Sequence, residues 1–183
     1  MCFQTLRFVL CSWFIGVTMV ATAQTNLFLP FGDTRQDVIS YLETRDYVKD
    51  LTDDQDLNVV RIVLSSRKQV EYAFHGNQLY AVTVLHNYTD LAEAERATGH
   101  LIEYLRSCGA PEIKKTGEGS LTVYTAITSS RVLKVFVRTH SNSKTLILSS
   151  ISLAHGPDMK EEDFFYEEKF FNAEGEYVLK GGE

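Results

Sequence analysis

Apolar residues recur along this chain at two spacings, and the switches between them mark out its elements. Behind Gly32-Asp33-Thr34-Arg35-Gln36-Asp37, the residues Val38, Tyr41 and Leu42 repeat at i, i+3 and i+4. Asp33 or Thr34 supplies the cap, with Gln36 or Asp37 in the first turn, so a short helix is predicted here, fading by Asp46. Val59-Val60-Arg61-Ile62-Val63-Leu64 is rich in β-branched residues, and Val70, Tyr72 and Phe74 alternate with polar neighbours. His75-Gly76-Asn77-Gln78 reads as a tight turn returning into a partner strand from Leu79 to Leu85, paired antiparallel.

A second, better-marked helix starts at Asp90, with Glu93 as its reciprocal cap and Leu91, Ala94, Ala97, Leu101, Ile102 and Leu105 as its apolar stripe. Gly109 supplies a left-handed stop, and Pro111 forbids continuation. Three further strand signals follow, at Leu121 to Ile127, Val132 to Arg138 and Thr145 to Leu153. Residues 128–131 and 141–144 form the turns between them, and Gly117-Glu118-Gly119-Ser120 reads as a hairpin loop. One helix followed by three strands, twice, predicts an α+β two-layer sandwich: an antiparallel sheet with both helices on one face, built from pseudo-repeated α-β-β-β units.

The N-terminus changes the expected compartment. One cation, Arg7, precedes an almost wholly apolar run from Phe8 to Val20, and Ala21-Thr22-Ala23 follows. That run is shorter than a membrane-spanning helix requires, and small residues stand at −3 and −1, so residues 1–23 read as a secretory signal peptide cleaved after Ala23. Cys11 follows the bulky Leu10, which does not suit a lipid-attachment box. The expected organisation is a signal at 1–23, a single α+β domain at 24–157 and an acidic, aromatic tail at 158–183. The expected location is periplasmic or secreted, with no membrane span after cleavage.

Cleavage leaves about 160 residues and Cys108 as the sole cysteine, so stability must come from an ordinary core rather than a disulfide. The formal net charge of −6 becomes −7 once Arg7 is removed, which argues against nucleic acid as a partner.

Candidate chemistry is sparse. The histidines, His75, His86, His100, His140 and His155, form no H-E-x-x-H, and no Cys or His pair has zinc spacing. His100, Glu103 and Glu93 share a helix, where a solvated face explains them. Asp53-Asp54-Asp56 lacks the glycine and terminal Glu of a calcium loop. No G-x-S-x-G elbow surrounds any serine. Asn87-Tyr88-Thr89 is a formal glycosylation sequon beside a helix cap. No catalytic, cofactor-binding or metal residue is assigned, and no cofactor is expected. In the tail, Phe164, Phe165, Tyr166, Phe170 and Phe171 are mixed with acids, in a pattern that fits strand alternation badly. Clustered aromatics seldom stay exposed, so this tail either docks on its own domain or contacts a partner.

Phe31-Gly32, Thr34, Val38 and Leu42 match the opening "G-x-[ST]-x-x-x-V-x-x-x-L" helix of the BLIP-like class of small exported bacterial domains, and Gly109-Ala110-Pro111 is similar to the G-x-P that follows a helix there. The chain resembles that class, which includes the SmpA/OmlA (BamE-like) outer-membrane assembly lipoproteins. It departs from them in carrying Glu43-Thr44-Arg45 after its first helix and in lacking a lipid-bearing cysteine. The resemblance implies a non-enzymatic, protein-binding module and assigns no residue a role. The signal peptide, the compact α+β reading and the absence of a reactive constellation set the expected function: a non-catalytic binding module of the bacterial envelope, with an envelope protein as partner, met by a sheet face the helices leave uncovered or by the aromatic tail. The alternative is a small-ligand carrier or hydrolase with an aromatic-lined cavity between helices and sheet.

Overall fold

A computed structural model describes residues 29–45, 51–52 (backbone), 58–158 and 160. The predicted signal at 1–23, Asp53-Asp54-Asp56 and the aromatic cluster of Phe164, Phe165, Tyr166, Phe170 and Phe171 lie outside the described residues.

Helix α1 spans Arg35–Glu43, and Thr34 is its cap. The Asp37 backbone N–H donates to Thr34 Oγ1 at 3.2 Å, and the Thr34 N–H donates back to the Asp37 carboxylate at 3.2 Å. These two bonds close a capping box. The Thr34 hydroxyl, donating to the Asp37 carboxylate at 2.6 Å, and then the Thr34 N–H hold that carboxyl below the usual carboxylate range. Strands β1 (Leu51–Thr52), β2 (Val59–Ser65), β3 (Lys68–His75) and β4 (Gln78–Tyr88) follow. Helix α2 spans Leu91–Ser107, and then come β5 (Ile113–Glu118), β6 (Leu121–Ile127), β7 (Arg131–Thr139) and β8 (Lys144–Ser152). The Asp90 carboxylate accepts from the Ala92 and Glu93 N–H groups, but the cap is one-sided: Glu93 makes no reciprocal bond to the Asp90 backbone. Gly109 takes the expected left-handed turn at φ +78°.

The eight strands form one antiparallel sheet in the order β1-β2-β3-β4-β8-β7-β6-β5. Each helix is thus followed by four strands, not the expected three. The two additions are the two-residue β1 and the edge strand β5, and neither carries an alternating apolar pattern. The halves join through β4 and β8, in register from Ala81 opposite Ile151 to Tyr88 opposite Lys144.

Strand register assigns every side chain to a face, because alternate residues point opposite ways. Val60, Ile62, Val70, Tyr72, Phe74, Val82 and Val84 share one face and pack beneath Val38 and Leu42 of α1. On the same face Leu133, Val135, Val137, Leu146 and Leu148 pack beneath Ala94, Ala97 and Leu105 of α2. Both helices therefore lie on one side of the sheet. Leu91, placed in the α2 stripe by spacing alone, is 43% exposed, because the stripe turns toward the sheet only from Ala94 onward.

The entry to α1 is pinned to the sheet. The Gly32 N–H donates to the Leu79 carbonyl at 2.9 Å, and the Leu79 N–H donates to the Asp33 carbonyl at 2.8 Å. Gly32 sits at φ +95°, and a Cβ there would stand 3.1 Å from the His155 ring. Glycine is thus required twice over, by its backbone angle and by the close approach of the segment leaving β8.

Candidate functional site

The opposite face of the sheet carries no helix among the described residues, and its composition is unusual. Reading straight across the strands, Arg61 of β2 faces Glu71 of β3, then come Thr83 of β4, Ser149 of β8, Lys134 of β7, Thr125 of β6 and Lys114 of β5. This polar row runs across seven strands. On one side of it lie Val59, Ala73, Ala81, Ile151, Val132 and Ile127; on the other lie Leu85, Ile147, Phe136 and Val123.

An antiparallel sheet with one face in water normally presents polar side chains there. Here the helix-free face is closed instead. Phe136 and Val132 are 0% exposed, Ile147 is 1%, and within the polar row Lys134 and Ser149 are 0% and Glu71 is 1% exposed. Among the described residues, no helix or strand lies over them.

Closed polar groups must find partners, since each left bare costs roughly 1–3 kcal/mol and a bare charge far more. Arg61 Nε donates to Glu71 Oε1 at 2.5 Å, so a half-buried guanidinium compensates a fully buried carboxylate. Thr83 Oγ1 donates to Ser149 Oγ at 3.1 Å across the β4–β8 seam. Lys134 Nζ lies 5.9 Å from the centroid of the Phe136 ring, two residues along the same face. Lys134 and Arg138 each make a further interaction besides these contacts within the sheet.

One end of this face is more open. Asn87 is exposed, while Leu85, Thr145, Arg138 and Leu121 are half-buried. Thr145 Oγ1 donates to Asn87 Oδ1 at 2.7 Å, and His140 Nε2 lies 3.4 Å from the same hydroxyl. The asparagine of the sequon thus sits in a strand with its side chain already engaged.

Other titratable groups gather on the helix-bearing side. The His86 and Tyr88 rings stack with centroids 4.1 Å apart on β4. Burial holds the His86 imidazole below its ordinary value, the Lys68 and Arg67 charges push the same way, and Glu93 opposes them. At the end of α2, burial and the neighbouring Cys108 raise the Tyr104 phenol to about 12. His100 is exposed, and Glu103 is committed to Arg106, so that helix surface is a solvated ion-pair face. Among the described residues no three His, Cys, Asp or Glu side chains converge as a metal site would require.

Between helices and sheet, where the alternative reading expects an aromatic-lined cavity, Val38, Leu42, Leu105 and Leu133 are all at 0% exposure. A depression of about 300 Å³ lies elsewhere, at the β5–β6 hairpin, lined by Lys115, Gly117, Glu118 and Leu121 among others. No described helix is long and apolar enough to cross a membrane.

Sequence reasoning misses the polar row because its members are scattered over seven strands and meet only through register. Its signal is a charged or hydroxylated residue inside each of several apolar strands: Glu71, Thr83, Lys134 and Ser149. The motif carrying the resemblance is accounted for locally by the Gly32–His155 contact and the Thr34 cap. Comparisons with protein-family models, curated proteins and solved structures find no match for this chain.

Proposed function

We propose that this protein is an exported, non-catalytic binding module of the bacterial envelope, and that it contacts a protein partner through the open end of the helix-free sheet face. The observation that supports this reading is the makeup of that face: apolar rows flanking a polar row, as in an interface core, instead of the polar surface a solvated sheet presents. At its open end, Leu85 and Leu121 offer apolar area, while Asn87, Thr145 and Arg138 supply donors and acceptors. A mixture of this kind, rimming a closed core, suits protein recognition.

The test is site-specific photo-crosslinking in the envelope of producing cells. A photo-reactive residue at Asn87 or Arg138 is expected to give a discrete adduct with another envelope protein. The same probe at Arg96, on the exposed surface of α2, is expected to give none. Equal adducts from both positions, or none from the sheet face, would overturn the proposal. Fractionation supplies a second check: export predicts a mature N-terminus at Gln24.

A further inference from the structure

The closed part of the helix-free face must have an occupant, and the chemistry of the face restricts what it is. Its two apolar rows call for aromatic or aliphatic side chains. The charges of its closed part have a cationic excess: Arg61 and Lys134 against Glu71. Lys134 is the deciding residue. It is 0% exposed, and its neighbours in the row are the hydroxyls of Ser149 and Thr125. Glu71 stands three strands away, about 14 Å at the ~4.8 Å spacing of adjacent strands. A buried ammonium is retained with a countercharge beside it, and for Lys134 the open direction for that partner is above the sheet.

We infer that residues 161–183 of this chain are that occupant. The segment holds eight acids and two lysines, together with the aromatics Phe164, Phe165, Tyr166, Phe170, Phe171 and Tyr177. It therefore carries both what the apolar rows need and what Lys134 and Arg61 attract. Its reach is sufficient: 23 residues extend up to roughly 76 Å, while seven strand spacings across the sheet amount to roughly 34 Å. It also begins close to the face, with eight residues between it and the end of β8 at Ser152, beside the closed row of Ile151 and Val132. Residues 1–28 are comparably apolar, but Arg7 is their only charged side chain, so they offer Lys134 no countercharge.

This inference deepens the binding reading by naming what fills the closed part of the same face. It moves the tail aromatics from partner contacts to an internal cover, leaving the open end for the partner.

The test uses the purified intact protein. Phe165 and Phe171 are each replaced by p-benzoylphenylalanine, irradiated, and the adducts mapped by mass spectrometry. Intrachain adducts to residues 121–127 or 132–138 are expected. Adducts to residues 35–43 or 91–107, or adducts only between chains, would overturn the inference. A thiol-accessibility experiment checks it independently, with the native cysteines replaced by serine. Thr125→Cys probes the helix-free face, and Ala126→Cys probes the side beneath α2.

Ending the chain at Gly156 is expected to speed modification at position 125 by about tenfold or more and to leave position 126 slow. If neither position opens, the cover is something other than this segment. If both open, truncation has unfolded the domain, and the intact-chain adducts then decide between a cover on β6 and β7 and one elsewhere. Failure here leaves the envelope crosslinks at Asn87 and Arg138 untouched, because those read a partner rather than an intrachain contact.

Discussion

Phe136→Ala measures whether the helix-free face is a buried layer or a wetted one. Phe136 sits at 0% exposure with Val123 and Ile147, and Leu85 and Leu121 lean against the group. A phenylalanine side chain buries at least ~150 Å², which at ~25 cal/mol per Å² is roughly 4 kcal/mol of transfer free energy. Alanine retains part of that, and the vacated volume adds a cavity penalty, giving an expected loss of about 3–4 kcal/mol. The comparator is Leu105→Ala on α2, equally closed but between helix and sheet, expected to cost about 3 kcal/mol. Urea denaturation at constant m-value reads both. On a face open to water, Phe136 would keep one side hydrated and its truncation would cost about 1 kcal/mol. A loss near that figure, beside a full-sized loss at Leu105, would refute the argument that this face is a second core.

Four smaller tests follow from local geometry. Asp90→Ala removes the acceptor that holds the Ala92 and Glu93 N–H groups, and is expected to lower stability by about 1 kcal/mol in the same denaturation assay. Ser150→Ala is expected to be neutral or to stabilise by up to about 1 kcal/mol, because the Ser150 hydroxyl is buried and makes no hydrogen bond among the described residues. Gly117→Ala would place a Cβ 2.3 Å from the Leu121 carbonyl oxygen at φ +146°, so the β5–β6 hairpin should lose amide exchange protection while α2 keeps its own. His86 should titrate by NMR below the ordinary 6.5, and Glu93→Gln should lower it further, since that carboxylate is the one group raising it. The unfolded chain takes up this proton first, so stability falls as pH drops below about 6.5 toward the folded value, and His86→Gln should flatten that slope.

How much can be read from the sequence differs by element for physical reasons. The α1 and α2 starts are legible because capping is local: Thr34 with Asp37, and Asp90 with the amides two and three residues on. The pairing of β3 with β4 is legible from alternation and a short turn. The bulge that opposes Phe74 to Leu79 and Ala73 to Ala81 leaves no mark, since it depends on the partner strand. Val132 to Arg138 alternates poorly because residues 132–137 are closed on both faces, and period two vanishes when both sides of a strand are interior. Edge strand β5 fails in the opposite sense: Lys114 to Glu118 are all exposed, so no apolar signal exists to find. The candidate site is the least legible part, because a row that crosses seven strands has no representation in linear order.

The polar row also bears on what kind of surface this is. A face meant only to be sealed could be apolar throughout, and replacing buried ion pairs with packed apolar residues is often neutral or stabilising. Retaining Arg61–Glu71, Thr83–Ser149 and Lys134 in one line instead restricts which chain can lie there and in which register, because a misplaced cover strands a buried charge. A cover seated with an apolar side chain on Lys134 leaves that ammonium uncompensated, and one that sets a carboxylate on Phe136 or Ile147 buries a bare charge. Each error costs more than either contact gains, so the row selects one seating of its cover. That selection accounts for polar groups on strands whose burial alone would favour Val and Ile. It also makes Lys134→Met a discriminating variant: stability should be largely kept, while crosslinks from Phe165 and Phe171 should spread over several positions of β6 and β7. A single unchanged adduct in that variant would show that the apolar rows alone set the register.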